Sequence, residues 1–344
     1  MFPDSVTNCE IPVLSANNIP IMASKARNIL IFGGTGNIGQ WIIKAIVENK
    51  SDFGSITIFT SPNTYSKKAD YVKQLKSKGV EFILGDVTSE SDVYGSLNGF
   101  DTIISAVGRP VLETQVLLVK LFDKHPDVKR FFPSEYGTDI DYDETSKDEP
   151  THQLKLKVRA ALKEVKNLEY TYVVTGPFAD AEAGFFLSAS APESEKAGTF
   201  DIKRKRAVVL GTGDEKLGLT TMRDTGRLVV AALKHPEESK NTALKVNSFE
   251  ATSNEVVKEF EKQINGQSWD VSKTSLEELK KMEKEAWEKK DPGAGLYTLK
   301  RIWTEGKTVY KKTDNEKIGM EGNTESLQDA VKRAIELQNA SAKL

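Results

Sequence analysis

Residues 29–39, ILIFGGTGNIG, constrain this chain more than any other stretch, because they join an apolar run to a glycine-rich turn and then to a helix. Ile29, Leu30, Ile31 and Phe32 read as a parallel strand covered on both faces, and Trp41, Ile42, Ile43, Ala45 and Ile46 continue at helical spacing. Between them Gly33, Gly36 and Gly39 are spaced G-x-x-G-x-x-G. The first glycine permits a tight turn, the second lets a phosphate approach the backbone, and the third lets helix and strand pack closely. The helix start adds free N–H groups and the positive end of its dipole. Gly33, Thr35, Gly36, Asn37, Ile38 and Gly39 are therefore expected to hold the pyrophosphate of a dinucleotide. Glycine spacing alone also suits an ordinary strand-to-helix turn; the order strand, turn, helix selects the cofactor reading.

The same alternation continues. Strands are expected over residues 55–60 (SITIFT), 80–84, 101–106 and 128–132, with helices over 65–78 and 112–124 between them. A further strand covers 170–173, after a helix over 152–165. The fold class is α/β: a Rossmann-type doubly wound parallel sheet, whose ligand lies beyond the carboxyl ends of its strands. A smaller α/β substrate-binding domain follows. Residues 1–25, polar and with scattered prolines, read as an extension that does no chemistry. Residues 26–176 read as the dinucleotide-binding domain and 177–344 as the smaller lid domain, with some segments returning to the first sheet. A strand over 207–210 and helices over 222–233, 253–264, 275–289 and 325–337 are expected there.

Composition narrows the class. The 48 basic and 50 acidic residues leave a net charge of -2, without the electrostatic footprint of a partner for nucleic acid or anionic membrane. No apolar run is long enough for a membrane span. The single cysteine, Cys9, excludes an intramolecular disulfide and a cysteine-rich metal site, and His125, His152 and His235 have no metal-ligand spacing. The expectation is a reduced, cytoplasmic protein with no metal. A homodimer is compatible with the sequence.

The strand ends nominate the site. After the second strand the chain reads Thr60-Ser61-Pro62-Asn63, then Lys67 and Lys68. An acidic partner for a free ribose is missing and two cations are near, which favours the 2'-phosphate of NADPH, although both lysines also suit a solvated helix surface. Asp86, after the third strand, could accept from the adenine amino group or simply close a turn. Ala106, Val107 and Gly108 are small enough for ribose and nicotinamide to lie against backbone.

Lys129 to Gly137 (KRFFPSEYG), taken with GGTGNIG, Glu149-Pro150, Lys155-Leu156-Lys157-Val158-Arg159, Tyr170 to Val173, Phe178, Asp224, Asn247-Ser248 and Asn254-Glu255, resembles the isoflavone reductase-like family. That family includes phenylcoumaran benzylic ether and pinoresinol-lariciresinol reductases, and sits among the NmrA-like, atypical short-chain dehydrogenases. The resemblance covers nearly everything after Met22. It implies NADPH, Ser134 in the cofactor-binding set, and a catalytic lysine in a K-x-x-[hydrophobic]-R pattern, which Lys155, Val158 and Arg159 occupy. The chain departs from the family at Ser61, where Arg is common, and at Gly176-Pro177, where Asn-Cys is usual. Lys67 and Lys68 are left as phosphate anchors.

None of the tyrosines has a lysine four residues on, so the Tyr-x-x-x-Lys pair of ordinary short-chain dehydrogenases is missing. A partly desolvated amine beside a nicotinamide would fall from about 10.4 towards roughly 7 to 8 and could move the proton instead. His152 stands one helical turn from Lys155, as a proton relay or as a helix-start histidine with a surface hydrogen bond. His152, Pro177 and Phe178 are the expected substrate contacts, with Phe185 and Phe186 in the same aromatic region.

Two functions follow. One is an NADPH-dependent reductase of a small aromatic or conjugated compound, with Lys155 as general acid/base and a quinone reductase as its nearest enzymatic rival. In the benzylic ether version that the resemblance implies, the lysine removes a phenolic proton, the ether opens to a quinone methide, and hydride adds at the benzylic carbon. The other is an NmrA-like redox sensor that binds dinucleotide without turnover.

Overall fold

A computed structural model describes residues 26–180 and 185–340. The expected extension, with Cys9, lies outside the described residues. The strands are β1 (Ile29–Phe32), β2 (Ile56–Thr60), β3 (Glu81–Leu84), β4 (Thr102–Ser105), β5 (Arg130–Phe132), β6 (Glu169–Val174), β7 (Thr199–Asp201), β8 (Arg206–Leu210), β9 (Lys216–Leu219), β10 (Thr242–Lys245), β11 (Phe249–Thr252) and β12 (Asp270–Thr274).

Seven of them form one sheet in the order β10-β6-β5-β4-β1-β2-β3, parallel throughout. The α/β, Rossmann-type class read from the alternation is the class observed. Every residue of β1, β2 and β4 is buried. The pleat divides them between two apolar layers: Ile29 and Ile31 join one, with helices Gly39–Glu48 and Met222–Lys234. Leu30 and Phe32 join the other, with helices Gln115–Lys124 and Gln153–Lys163. Chain order reverses between β1 and β4, so the loops leaving these two strands open the crevice.

Gly226 lets helix Met222–Lys234 lie directly on helix Gly39–Glu48, because a Cβ there would stand 2.2 Å from the Trp41 carbonyl oxygen. Beyond the main sheet, β7 pairs antiparallel and β12 parallel with β8, and β9 pairs with β11. A third apolar cluster, including Phe200, Phe260, Trp269 and Trp303, fills this second lobe.

Three local readings are corrected. The helix expected over 65–78 is two, Pro62–Lys67 and Ala69–Ser77, broken at Lys68 with φ -110° and ψ 32°. Its start is fixed upstream by Pro62 and by Ser61 Oγ, which accepts from Thr64 N at 3.2 Å. The helix expected over 112–124 opens as a 3-10 turn, Arg109–Thr114, with Val111 off helical geometry, and becomes α-helical only from Gln115. Helix Ala294–Thr304 corresponds to no expectation, and it reaches the site.

Candidate active site

The glycine loop is built by backbone on backbone. Gly33 has φ +74°, and a Cβ on it would lie 2.5 Å from the Ala106 carbonyl oxygen, so the end of β4 leans on the loop. A Cβ on Gly39 would meet the Gly33 carbonyl at 2.0 Å, while Gly36 N donates to that same oxygen at 2.9 Å. Helix Gly39–Glu48 starts at Ile38 without a side-chain cap. The N–H groups of Gln40 and Trp41 turn back onto the Gly36 and Ile38 carbonyls, and the positive end of the helix dipole faces the loop, an arrangement that suits a phosphate.

Around this loop the expected cofactor residues divide. Lys68 Nζ donates to the Thr35 carbonyl oxygen, so its side chain crosses from the end of β2 to the loop. Lys67 is exposed, and Ser61 is occupied as the helix cap. Asp86 Oδ1 accepts from Thr88 N and Thr88 Oγ1, both at 2.8 Å. These hydrogen bonds close a turn and hold the carboxyl below its ordinary range. Ala106, Val107 and Gly108 follow β4 directly. Ser134 binds them to the neighbouring loop: its Oγ donates to the Val107 carbonyl at 3.0 Å, and its N–H donates to Gln115 Oε1 at 2.9 Å.

Lys155 lies in the first turn of helix Gln153–Lys163, where its Nζ donates to the Glu135 carbonyl oxygen at 2.8 Å. One turn on, Arg159 grips the Glu135 carboxylate with Nε and Nη2, each at 3.0 Å, and its guanidinium lies 4.5 Å from the centre of the Tyr172 ring. The K-x-x-V-R spacing thus puts amine and guanidinium on one helix face, and Glu135 holds both. Burial pushes the Lys155 amine below its ordinary range. The Glu135 carboxylate opposes that shift, and Arg159 and Arg109 add to it.

His152 corrects the surface reading. It is 2% exposed, with Nδ1 2.8 Å from the Ser146 carbonyl oxygen and its ring edge-on to Tyr142. A carbonyl partner assigns the proton to Nδ1 and leaves Nε2 as an acceptor. Nε2 is buried without a hydrogen-bond partner among the described residues, and burial lowers the imidazole pKa, favouring the neutral ring. The burial comes from residues 137–152, which are held to the second lobe. Trp303 Nε1 donates to Thr138 Oγ1 at 2.7 Å, and Glu149 accepts from Tyr142 Oη at 2.9 Å and from Arg301 Nη2 at 2.7 Å.

Lys155, His152 and Ser134 border a cavity of about 280 Å³ together with Ile38 and Val107. Pro177, Phe178 and Phe185 form another wall, the two rings 5.3 Å apart and edge to face. Leu296, Leu299 and Trp303 close it from helix Ala294–Thr304. Phe186 turns away and packs 5.5 Å from Phe200. The i, i+3, i+7 spacing of Leu296, Leu299 and Trp303 was the available sign of this wall. Glu135, Tyr136 and Arg109 carried no comparable signal, although Tyr136 and Arg109 also line the cavity.

The sequence model of the NmrA-like family matches residues 25–288. This chain belongs to the NmrA-like family. Among its relatives, phenylcoumaran benzylic ether reductase PT1 of Pinus taeda is 30% identical over 246 residues, 71% of this chain and 77% of that protein. The isoflavone reductase of Pisum sativum is 29% identical over 267 residues, covering 74% of this NmrA-like chain and 80% of the relative. The binary complex of leucoanthocyanidin reductase and NADPH from Vitis vinifera superimposes with a TM-score of 0.71 at 21% identity, over 90% of this chain and 99% of that one. These relatives are reductases. Among the described residues of the NmrA-like chain, no helix is long and apolar enough to cross a membrane.

Proposed function

We propose that this NmrA-like protein is an NADPH-dependent reductase of a small aromatic or conjugated compound, with Lys155 as its general acid/base. The observation that carries the reading is the Lys155 amine, partly enclosed at the cavity and held by the Glu135 carbonyl, with its pKa lowered. Names among the relatives, such as isoflavone reductase and eugenol synthase, support the substrate class.

The glycine loop suits the pyrophosphate, since it is packed too closely for side chains at two positions: an added Cβ on Gly33 would strike the Ala106 carbonyl and one on Gly39 the Gly33 carbonyl. Lys68, with Lys67 beside it, supplies positive charge for a 2'-phosphate. Bound there, the nicotinamide would supply the hydride. The chain's own residues handle everything else. The Lys155 amine donates one N–H to the Glu135 carbonyl; in its deprotonated form its lone pair is left for the cavity, so it can take a phenolic proton and later return one. The largely buried His152 ring borders the same cavity beside Lys155. Pro177, Phe178, Phe185 and Trp303 exclude water and stack on an aromatic ring.

The test is NADPH oxidation by the purified protein over a panel of aryl ethers, enones and quinones, with Lys155→Ala in parallel. The expected result is turnover on at least one class, reduced about 10²- to 10⁴-fold in the variant with NADPH affinity unchanged. Turnover on quinones alone would move the assignment to a quinone reductase. Tight NADPH binding with no turnover across the panel would favour a redox sensor.

A further inference from the structure

Among the described residues, the charged side chains that line the cavity have one sign: Arg109 and Lys155 belong to its lining and no described Asp or Glu does. Four acids in the segments that wall the cavity each lie beside a different cation. Glu113 is 2.5 Å from Lys157, Glu135 3.0 Å from Arg159, Asp139 2.7 Å from Lys245, and Glu149 2.7 Å from Arg301. The exposed Asp141 is not within ion-pair distance of Arg109, and among the described residues Arg109 has no carboxylate partner.

Arg109 opens the 3-10 turn that follows Gly108, so its backbone is anchored at the strand end that faces the nicotinamide in the proposed reading. A guanidinium keeps its charge at any pH the protein meets, and its planar fork matches a carboxylate. The remainder of the cavity is largely apolar and would take an aromatic ring without competing for that charge.

We propose that the substrate is an anionic aromatic compound, an aryl or arylalkenyl carboxylate, whose carboxylate pairs with Arg109 at the cavity mouth while its ring lies between Phe178 and Trp303. This deepens the reductase reading and rests on it for the word substrate, whereas the anion site itself is testable by binding alone. The charge of Arg109 also bears on Lys155, whose pKa it helps burial and Arg159 to lower. The permanent cation and the proton-transferring amine therefore have separate tasks. A phosphate of the cofactor is the other anion that could reach a guanidinium here, and the experiment separates the two.

The experiment is calorimetric titration of the NADP+-saturated protein, which cannot turn the compounds over by reduction, with 4-hydroxycinnamate and with 4-hydroxycinnamamide, which differ in charge but hardly in shape. The acid is expected to bind about tenfold or more tightly than the amide at low salt, with the ratio falling as salt is added. Arg109→Gln should bring the two within about twofold by weakening the acid alone, Arg109→Lys should keep part of the preference, and NADPH affinity should be unchanged in both variants. Equal binding of acid and amide, no binding of the acid, or a preference that survives Arg109→Gln overturns the proposal. A loss of NADPH affinity in Arg109→Gln with the acid-to-amide ratio intact assigns the guanidinium to the cofactor and overturns it as well. Because none of these outcomes needs turnover, failure of the reductase reading would appear separately, in the NADPH oxidation panel.

Discussion

The two sides of the crevice are built on different principles. On the glycine side, loop 33–39 is shaped chiefly by backbone approaching backbone, Gly33 against Ala106 and Gly39 against Gly33, with Lys68 reaching the Thr35 carbonyl from outside. On the lysine side, Lys155 is positioned by a buried charge pair, Glu135 with Arg159, in which Glu135 is 1% exposed. The first arrangement tolerates no added atom. The second tolerates shape changes but no uncompensated charge. A site for a cofactor common to many enzymes and a site that tunes one amine thus depend on different forces, and substitutions should separate them.

The largest expected effect is on the lysine side. Glu135→Gln leaves the Arg159 guanidinium buried without its anion, and we expect a loss of about 3 to 5 kcal/mol in urea unfolding. It also removes the carboxylate that does most to raise the Lys155 pKa, with Asp139 the lesser contributor. The limb of the rate profile that reports deprotonation of Lys155 should therefore move to lower pH. Arg159→Gln removes a charge that lowers the same pKa, so in that variant the limb should move to higher pH, by on the order of one unit. Shifts of the same sign in the two variants would break the comparison, because purely structural damage has no reason to oppose itself.

Gly33→Ala comes next. Its φ of +74° disfavours any L side chain, and the new Cβ would overlap the Ala106 carbonyl. We expect about 2 to 3 kcal/mol of destabilisation and loss of NADPH affinity, with no pH shift in whatever activity remains. An unchanged unfolding midpoint and unchanged NADPH affinity would remove the close-packing account of the loop.

The smallest effect sharpens the cofactor side. Replacing Lys67 and Lys68 by Ala should erase most of the preference for NADPH over NADH, about tenfold or 1.4 kcal/mol, measured as the ratio of dissociation constants. Both lysines are exposed, but only Lys68 reaches the loop, through the Thr35 carbonyl, so the single Lys68→Ala variant should account for the larger share. A preference that survives the double substitution would leave the 2'-phosphate to other residues.

Much of the sheet was readable because its determinants are local. An apolar tetrapeptide buried on both faces, a glycine turn and a 3.6-residue stripe announce β1 and its helix without reference to anything distant. Lys155 was nominated by the family resemblance, and its spacing to Arg159 within one helix turn is what places the two on one face. The strands of the second lobe were harder. β12 is Asp-Val-Ser-Lys-Thr, with only its last residue buried, and it is a strand because β8 offers it a parallel edge. His152 was read as a choice between surface contact and relay, because its burial depends on Thr138 and Glu149 being held by Trp303 and Arg301, residues 165 and 152 positions further along the chain.

The sequence by itself determined the alternating sheet, the glycine turn at its switch point and the helix face that carries Lys155 and Arg159, all set by residues within a few positions of one another. Tertiary structure alone decided that Glu135 would hold both ends of that face, that His152 would be buried, and that helix Ala294–Thr304 would close the cavity. It also decided that Arg109 would stand there without a carboxylate partner among the described residues. The reason is physical. Backbone geometry and hydrophobic periodicity are written in neighbouring residues, whereas the pairing of charges and the enclosure of a cavity arise only when distant segments compete for the same space.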